Sequence, residues 1–108
     1  MDHREVMALL PNSGDKEIFV LKVKGSSMIE DHIQDEDYVI VERRDVAENG
    51  ETVVALIDND RATLKRFYRE KGRVRLQPAH PNMKPIILRE GDFAIQGVVI
   101  GLLRKFDK

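Results

Sequence analysis

Short β-branched runs broken at close intervals by turn residues constrain this chain more than any other feature. Tyr38-Val39-Ile40-Val41 and Thr52 to Ile57 are dense in Val and Ile, and Glu48-Asn49-Gly50 punctuates the chain between them. Such runs read as buried strands, and Asn-Gly is a strong turn signal. Nowhere does a helical period persist long enough to compete. The rest of the chain follows suit. Ile18 to Lys24 alternates, with Phe19, Leu21 and Val23 on one face. Met28 to Ile33 has room for one short helical turn, and Asp35-Glu36-Asp37 is an acidic turn.

Ala62 to Tyr68 places Ala62, Leu64, Arg66 and Tyr68 on one face and Thr63, Lys65 and Phe67 on the other. Glu70-Lys71-Gly72 turns it into a hairpin with Arg73 to Gln77. Pro78, Pro81 and Pro85 hold residues 78–85 as a loop before the short strand at Ile86-Ile87-Leu88. Phe93 to Leu103 is a long apolar strand whose Gly97 and Gly101 predict a bulge, a bend or a close backbone approach. The expected fold is mostly β, a twisted, partly barrel-like sheet of seven or eight short strands. Within it, Val98 to Leu103 is a hazard as a free edge, so it lies in the interior or pairs with a second copy of the chain.

The 108 residues fit one domain, read as a leader over residues 1–17 and a folded unit over residues 18–108. In the leader, Val6-Met7-Ala8-Leu9-Leu10 is a strand or a single helical turn. There is no Cys, which removes thiol nucleophiles and Cys-bound metals. With 18 basic against 19 acidic residues, the chain lacks the excess charge of a dedicated nucleic-acid binder. Lys65, Arg66, Arg69, Lys71, Arg73 and Arg75 cluster, and a solvated hairpin face accounts for them. No run approaches a membrane span, and the expected location is the cytoplasm. No cofactor is expected, and no metal site: Asp58 and Asp60 begin like a calcium loop, but no Gly or distant Glu follows in register.

Lys24-Gly25-Ser26-Ser27-Met28 is where chemistry can start. A Gly before Ser turns the backbone sharply and frees amides, so the serine is either a nucleophile beside an oxyanion site or a cap on a short helix. His3, His32 and His80 sit in the leader, an acidic turn and a proline-flanked loop, none on a strand face beside a serine. Lys65 is the remaining base. Facing solvent it is ordinary. Facing inward it loses solvation and its pKa falls, and a fall of about 3 units costs roughly 4 kcal/mol. A neutral amine so made can take a serine proton.

The blocks Gly25-Ser26-Ser27-Met28, Asp35 to Val41, Asn49 to Ala55, Ala62 to Tyr68, Arg75-Leu76-Gln77-Pro78 and Gly97 to Gly101 together resemble the C-terminal domain of LexA repressors, over about residues 18–106. These are self-cleaving peptidases of the bacterial DNA-damage (SOS) response. The resemblance implies a LexA- and signal-peptidase-like fold, Ser27 as nucleophile, Lys65 as general base 38 positions later, and backbone amides at Ser26 and Ser27 as the oxyanion site. It implies a homodimer through Val98 to Leu103, and cleavage stimulated by the RecA filament on single-stranded DNA. Operator DNA would be met only through an N-terminal helix-turn-helix domain that these residues do not include. The family's scissile Ala-Gly (or Cys-Gly) pair does not occur in the sequence, so the chain resembles the fragment left by cleavage. Two alternative readings are a UmuD-like subunit of a translesion polymerase and a dimerisation module without catalysis.

Overall fold

The computed structural model describes residues 17–58 and 61–106. The leader reading, with Val6 to Leu10, lies outside the described residues except for Glu17, as does Asp60. Seven strands form: β1 (Ile18–Lys22), β2 (Tyr38–Arg43), β3 (Thr52–Ile57), β4 (Arg61–Glu70), β5 (Arg73–Gln77), β6 (Ile86–Leu88) and β7 (Phe93–Leu103). Two 3₁₀ turns, Ile29–Asp31 and Glu90–Asp92, are the helical elements among the described residues.

The strands make one sheet in the order β1-β2-β7-β3-β4-β5-β6, with every pairing antiparallel. β4 and β5 close the expected hairpin at Gly72, whose φ of +76° suits glycine. Asn49-Gly50 turns the chain with Gly50 at φ +90°, yet it closes no β2–β3 hairpin, because β7 inserts between those strands. β1 stops two residues earlier than its alternation predicts. Val23 leaves the ladder to exchange backbone hydrogen bonds with the acidic turn, donating to Asp37 O (2.7 Å) and accepting from Glu36 N–H (2.9 Å).

β7 carries two bulges. Against β3 the register shifts so that Gln96 is the extra residue, and against β2 Ile100 is. Gly97 adjoins the first. A Cβ there would lie 2.5 Å from Val41 Cγ1 and 2.6 Å from the Glu42 carbonyl oxygen, so the glycine permits the close approach of β2. Val98 to Leu103 is interior along its β2 side. On the β3 side pairing covers Phe93 to Val98 and ends there, while on the β2 side it runs from Gly97 to Leu103.

Each face of the sheet has its own core. Val53, Ala55 and Ile57 of β3 pack on one side with Phe67, Val74, Leu76, Ile95 and Val98. Val54, Val39 and Val41 face the other way, where Met28 and Ile33 of the β1–β2 connection cover them. Burying a side chain of this size contributes about 1.5–3 kcal/mol. The connection that carries Ser27 is thus fastened to the sheet by its own apolar residues.

Candidate active site

The β1–β2 connection is a folded loop with left-handed residues at Gly25 (φ +94°), His32 (φ +64°) and Glu36 (φ +74°). Gly25 N–H donates to Asp35 Oδ1 (2.7 Å), which draws the two ends of the loop together. Between them the Ser26 carbonyl accepts from Ile29 N–H (3.1 Å) and starts the 3₁₀ turn. No side chain caps that turn, so the serines are not there as caps. Met28, 2% exposed, anchors the next position in the core. Ser26 points to solvent, whereas Ser27 is half-buried. Among the described residues, the amides of Ser26, Ser27 and Met28 donate to no protein acceptor.

Lys65 reaches Ser27 from β4. Its Nζ lies 3.2 Å from Ser27 Oγ and 2.5 Å from Thr63 Oγ1, two residues back on the same strand. Ser27 Oγ also lies 3.5 Å from the Leu64 carbonyl oxygen. Lys65 faces inward and is 7% exposed, the second of the two orientations its strand allows. Burial pushes its pKa below the ordinary lysine value, and the charge of Arg61 pushes it further the same way. Among the described residues, no carboxylate lies within hydrogen-bonding distance to favour the ammonium form. A hydroxyl beside an amine of lowered basicity can pass its proton to that amine and act as a nucleophile.

Both side chains open into a groove of about 310 Å³. Its walls include Leu21, Val23, Met28, Val39, Val54 and Leu64. Shape and lining suit an extended chain bearing apolar side chains.

Two ion pairs hold the loop against the sheet. Arg66, next to Lys65, grips Asp31 through Nε (2.8 Å) and Nη2 (2.6 Å). Arg104 beyond β7 grips Asp37 through Nε and Nη2 (2.8 Å each) and donates to the His32 carbonyl (2.9 Å). Asp37 also accepts from Gln34 N–H (2.8 Å), and Arg104 holds its carboxyl below the ordinary range. The acidic turn is therefore partly structural: Asp37 is 2% exposed. Neither pairing has a local sequence signal, since 35 positions separate Asp31 from Arg66 and 67 separate Asp37 from Arg104.

The remaining candidates lie apart from Ser27. His32 caps the 3₁₀ turn through its backbone, and His80 Nδ1 accepts from Asn82 N–H. His3 is outside the described residues. No group of His, Asp and Glu among the described residues is placed to hold a metal. In the basic cluster, Arg66 pairs with Asp31, Arg69 with Glu90, and Arg73 and Arg75 with Glu70. This is a set of intramolecular pairs. No helix among the described residues is long and apolar enough to cross a membrane.

The Peptidase S24-like family pattern matches residues 2–100. The chain belongs to that family. Among relatives, this S24-like domain is 50% identical over 106 residues to the LexA repressor of Koribacter versatilis, covering 98% of this chain and 50% of that protein. The LexA repressor of Caldicellulosiruptor saccharolyticus is 53% identical over 92 residues, 85% of this chain and 44% of its own. That of Bacillus subtilis is 50% identical over 90 residues, 83% and 43%. The S24-like domain thus spans about half the length of the relatives it matches.

Proposed function

We propose that this domain is the self-cleaving peptidase and dimerisation part of a LexA-like repressor of the SOS response. The observation that carries the reading is the approach of Ser27 Oγ to Lys65 Nζ, 3.2 Å, with the lysine buried and its pKa lowered by that burial. Neutral Lys65 takes the Ser27 hydroxyl proton as Oγ attacks the scissile carbonyl carbon. The carbonyl oxygen gathers negative charge, which the free amides at Ser26 and Ser27 stabilise. Lys65 then gives the proton to the departing amine. Thr63 Oγ1 accepts one N–H of Lys65 and so helps aim the lone pair at the hydroxyl. An acyl-serine remains, and water hydrolyses it.

The half-open strand supports the dimer. Residues 99–103 of β7 have β2 on one side and no strand on the other among the described residues. Ile100 and Leu103 pack with Ile18 and Ile40 beside that edge, and Leu102 is 39% exposed. A second copy supplies the missing strand. Operator binding belongs to a separate DNA-binding domain, and the RecA filament in the bacterial cytoplasm favours the cleavage-competent state. That the relatives are LexA repressors favours this reading over a UmuD-like subunit.

The experiment is cleavage in trans of a peptide containing Ala-Gly. The parent cuts it, faster as pH rises, while Ser27→Ala and Lys65→Ala do not. Cutting by both variants at the parental rate would remove the assignment. Sedimentation tests the dimer: a monomer at high micromolar concentration excludes it.

A further inference from the structure

Lys65 borders a second hollow, of about 430 Å³. It shares Ala62, Thr63 and Lys65 with the Ser27 groove, so the two adjoin at β4. Its walls differ in kind from those of the groove. Ile57, Met83 and Ile86 give it apolar sides, and Arg61 and Lys84 add two cations.

Many of the described basic side chains are matched to carboxylates: Lys22 and Lys24 to Glu36, Arg44 to Glu42 and Glu51, Arg66 to Asp31, Arg69 to Glu90, and Arg104 to Asp37. Among the described residues, Arg61 and Lys84 have no carboxylate partner, and they line the same hollow. Two unmatched cations in one concavity beside a lysine repel each other and leave a site complementary to negative charge. A peptide lying in the Ser27 groove has this hollow as its neighbour at Lys65.

We infer that the hollow is a substrate subsite for an acidic side chain near the scissile bond. The carboxylate sits between Arg61 and Lys84, and the aliphatic stem lies against Met83 and Ile86. The inference rests on the peptidase reading above and adds a specificity to it. A glutamate suits the site better than an aspartate, because its longer stem reaches from the peptide backbone into the hollow.

The test uses Ala-Gly peptides in which glutamate is walked along the positions flanking the scissile bond, each paired with its glutamine counterpart. At one position glutamate raises kcat/KM by about 3- to 10-fold, as expected for partly exposed ion pairs, and does so through KM. The preference shrinks with added salt. It disappears in the double variant Arg61→Gln, Lys84→Gln. Binding of the same peptides to Ser27→Ala gives the comparison without turnover. No preference for glutamate at any position, or a preference that survives in the double variant, overturns the subsite. Glutamine peptides that are cut with no acid preference leave the peptidase standing and the subsite excluded. Acid-dependent binding without cleavage by the parent has the opposite meaning.

Discussion

Arg66 and Asp31 clasp each other through two hydrogen bonds, one residue along β4 from Lys65 and four residues beyond Ser27. The clasp therefore ties together the two segments that carry the hydroxyl and the amine. A guanidinium fork fits a carboxylate in one orientation, so it fixes angle as well as distance.

Arg66→Lys retains the charge and loses the fork. Stability falls by about 1 kcal/mol, the modest value of a partly exposed pair. Peptide cleavage falls further, roughly 10- to 100-fold, because catalysis is sensitive to displacement of the nucleophile. The loss appears in kcat with KM little changed. Equal, small losses in stability and rate would make the pair a surface contact without a positioning role.

In the proposed mechanism, cleavage rate follows the neutral fraction of Lys65. Its folded pKa lies below 10.5, first through burial and then through the charge of Arg61. The rate therefore climbs as pH rises through that lowered pKa. Arg61→Gln removes the smaller cause and moves the midpoint to higher pH, measured with an uncharged peptide. A midpoint that stays or falls excludes Arg61 as a contributor.

The same shift has a stability signature. Between the folded pKa of Lys65 and 10.5, the unfolded chain holds a proton that the folded chain lacks, so folding is favoured as pH rises through this window. Below it the full cost of the buried amine is present. Lys65→Met, which retains the stem, is thus inactive yet more stable than the parent at about pH 7, with a gain that shrinks toward about pH 10. Urea unfolding at both pH values gives the comparison, and a destabilised Met variant at neutral pH contradicts it.

Two glycine substitutions separate packing from conformational freedom. In Gly97→Ala the new methyl meets Val41 and the Glu42 carbonyl, and the β2–β7 ladder must part. The expected cost is about 1–3 kcal/mol, read as a lower denaturation midpoint. Gly91→Ala meets nothing within 4 Å and serves as the matched control, with little change.

Most strands were legible because Val and Ile runs alternate with turns, and that signal is local. Lys65 was legible as a candidate because a lysine centred in the strand that also carries Phe67 has few bland explanations. The strand order was not legible. Asn49-Gly50 is a correct turn signal, yet partner choice depends on a strand some forty residues later in the chain. Asp37 was hidden for the same reason. In an Asp-Glu-Asp run it has the composition of a solvated turn, and only Arg104, 67 positions away, makes it a buried anchor.

The last described strand, β7, lies inside the sheet, between β2 and β3. Without Phe93 to Leu103, β1–β2 and β3–β6 are two separate ribbons, each with an unpaired inner edge. Assembly must wait for that strand, and its loss splits the domain instead of trimming it. Ser27 sits with the first ribbon and Lys65 on the second. The hydroxyl and the amine thus come into register only as β7 slots in.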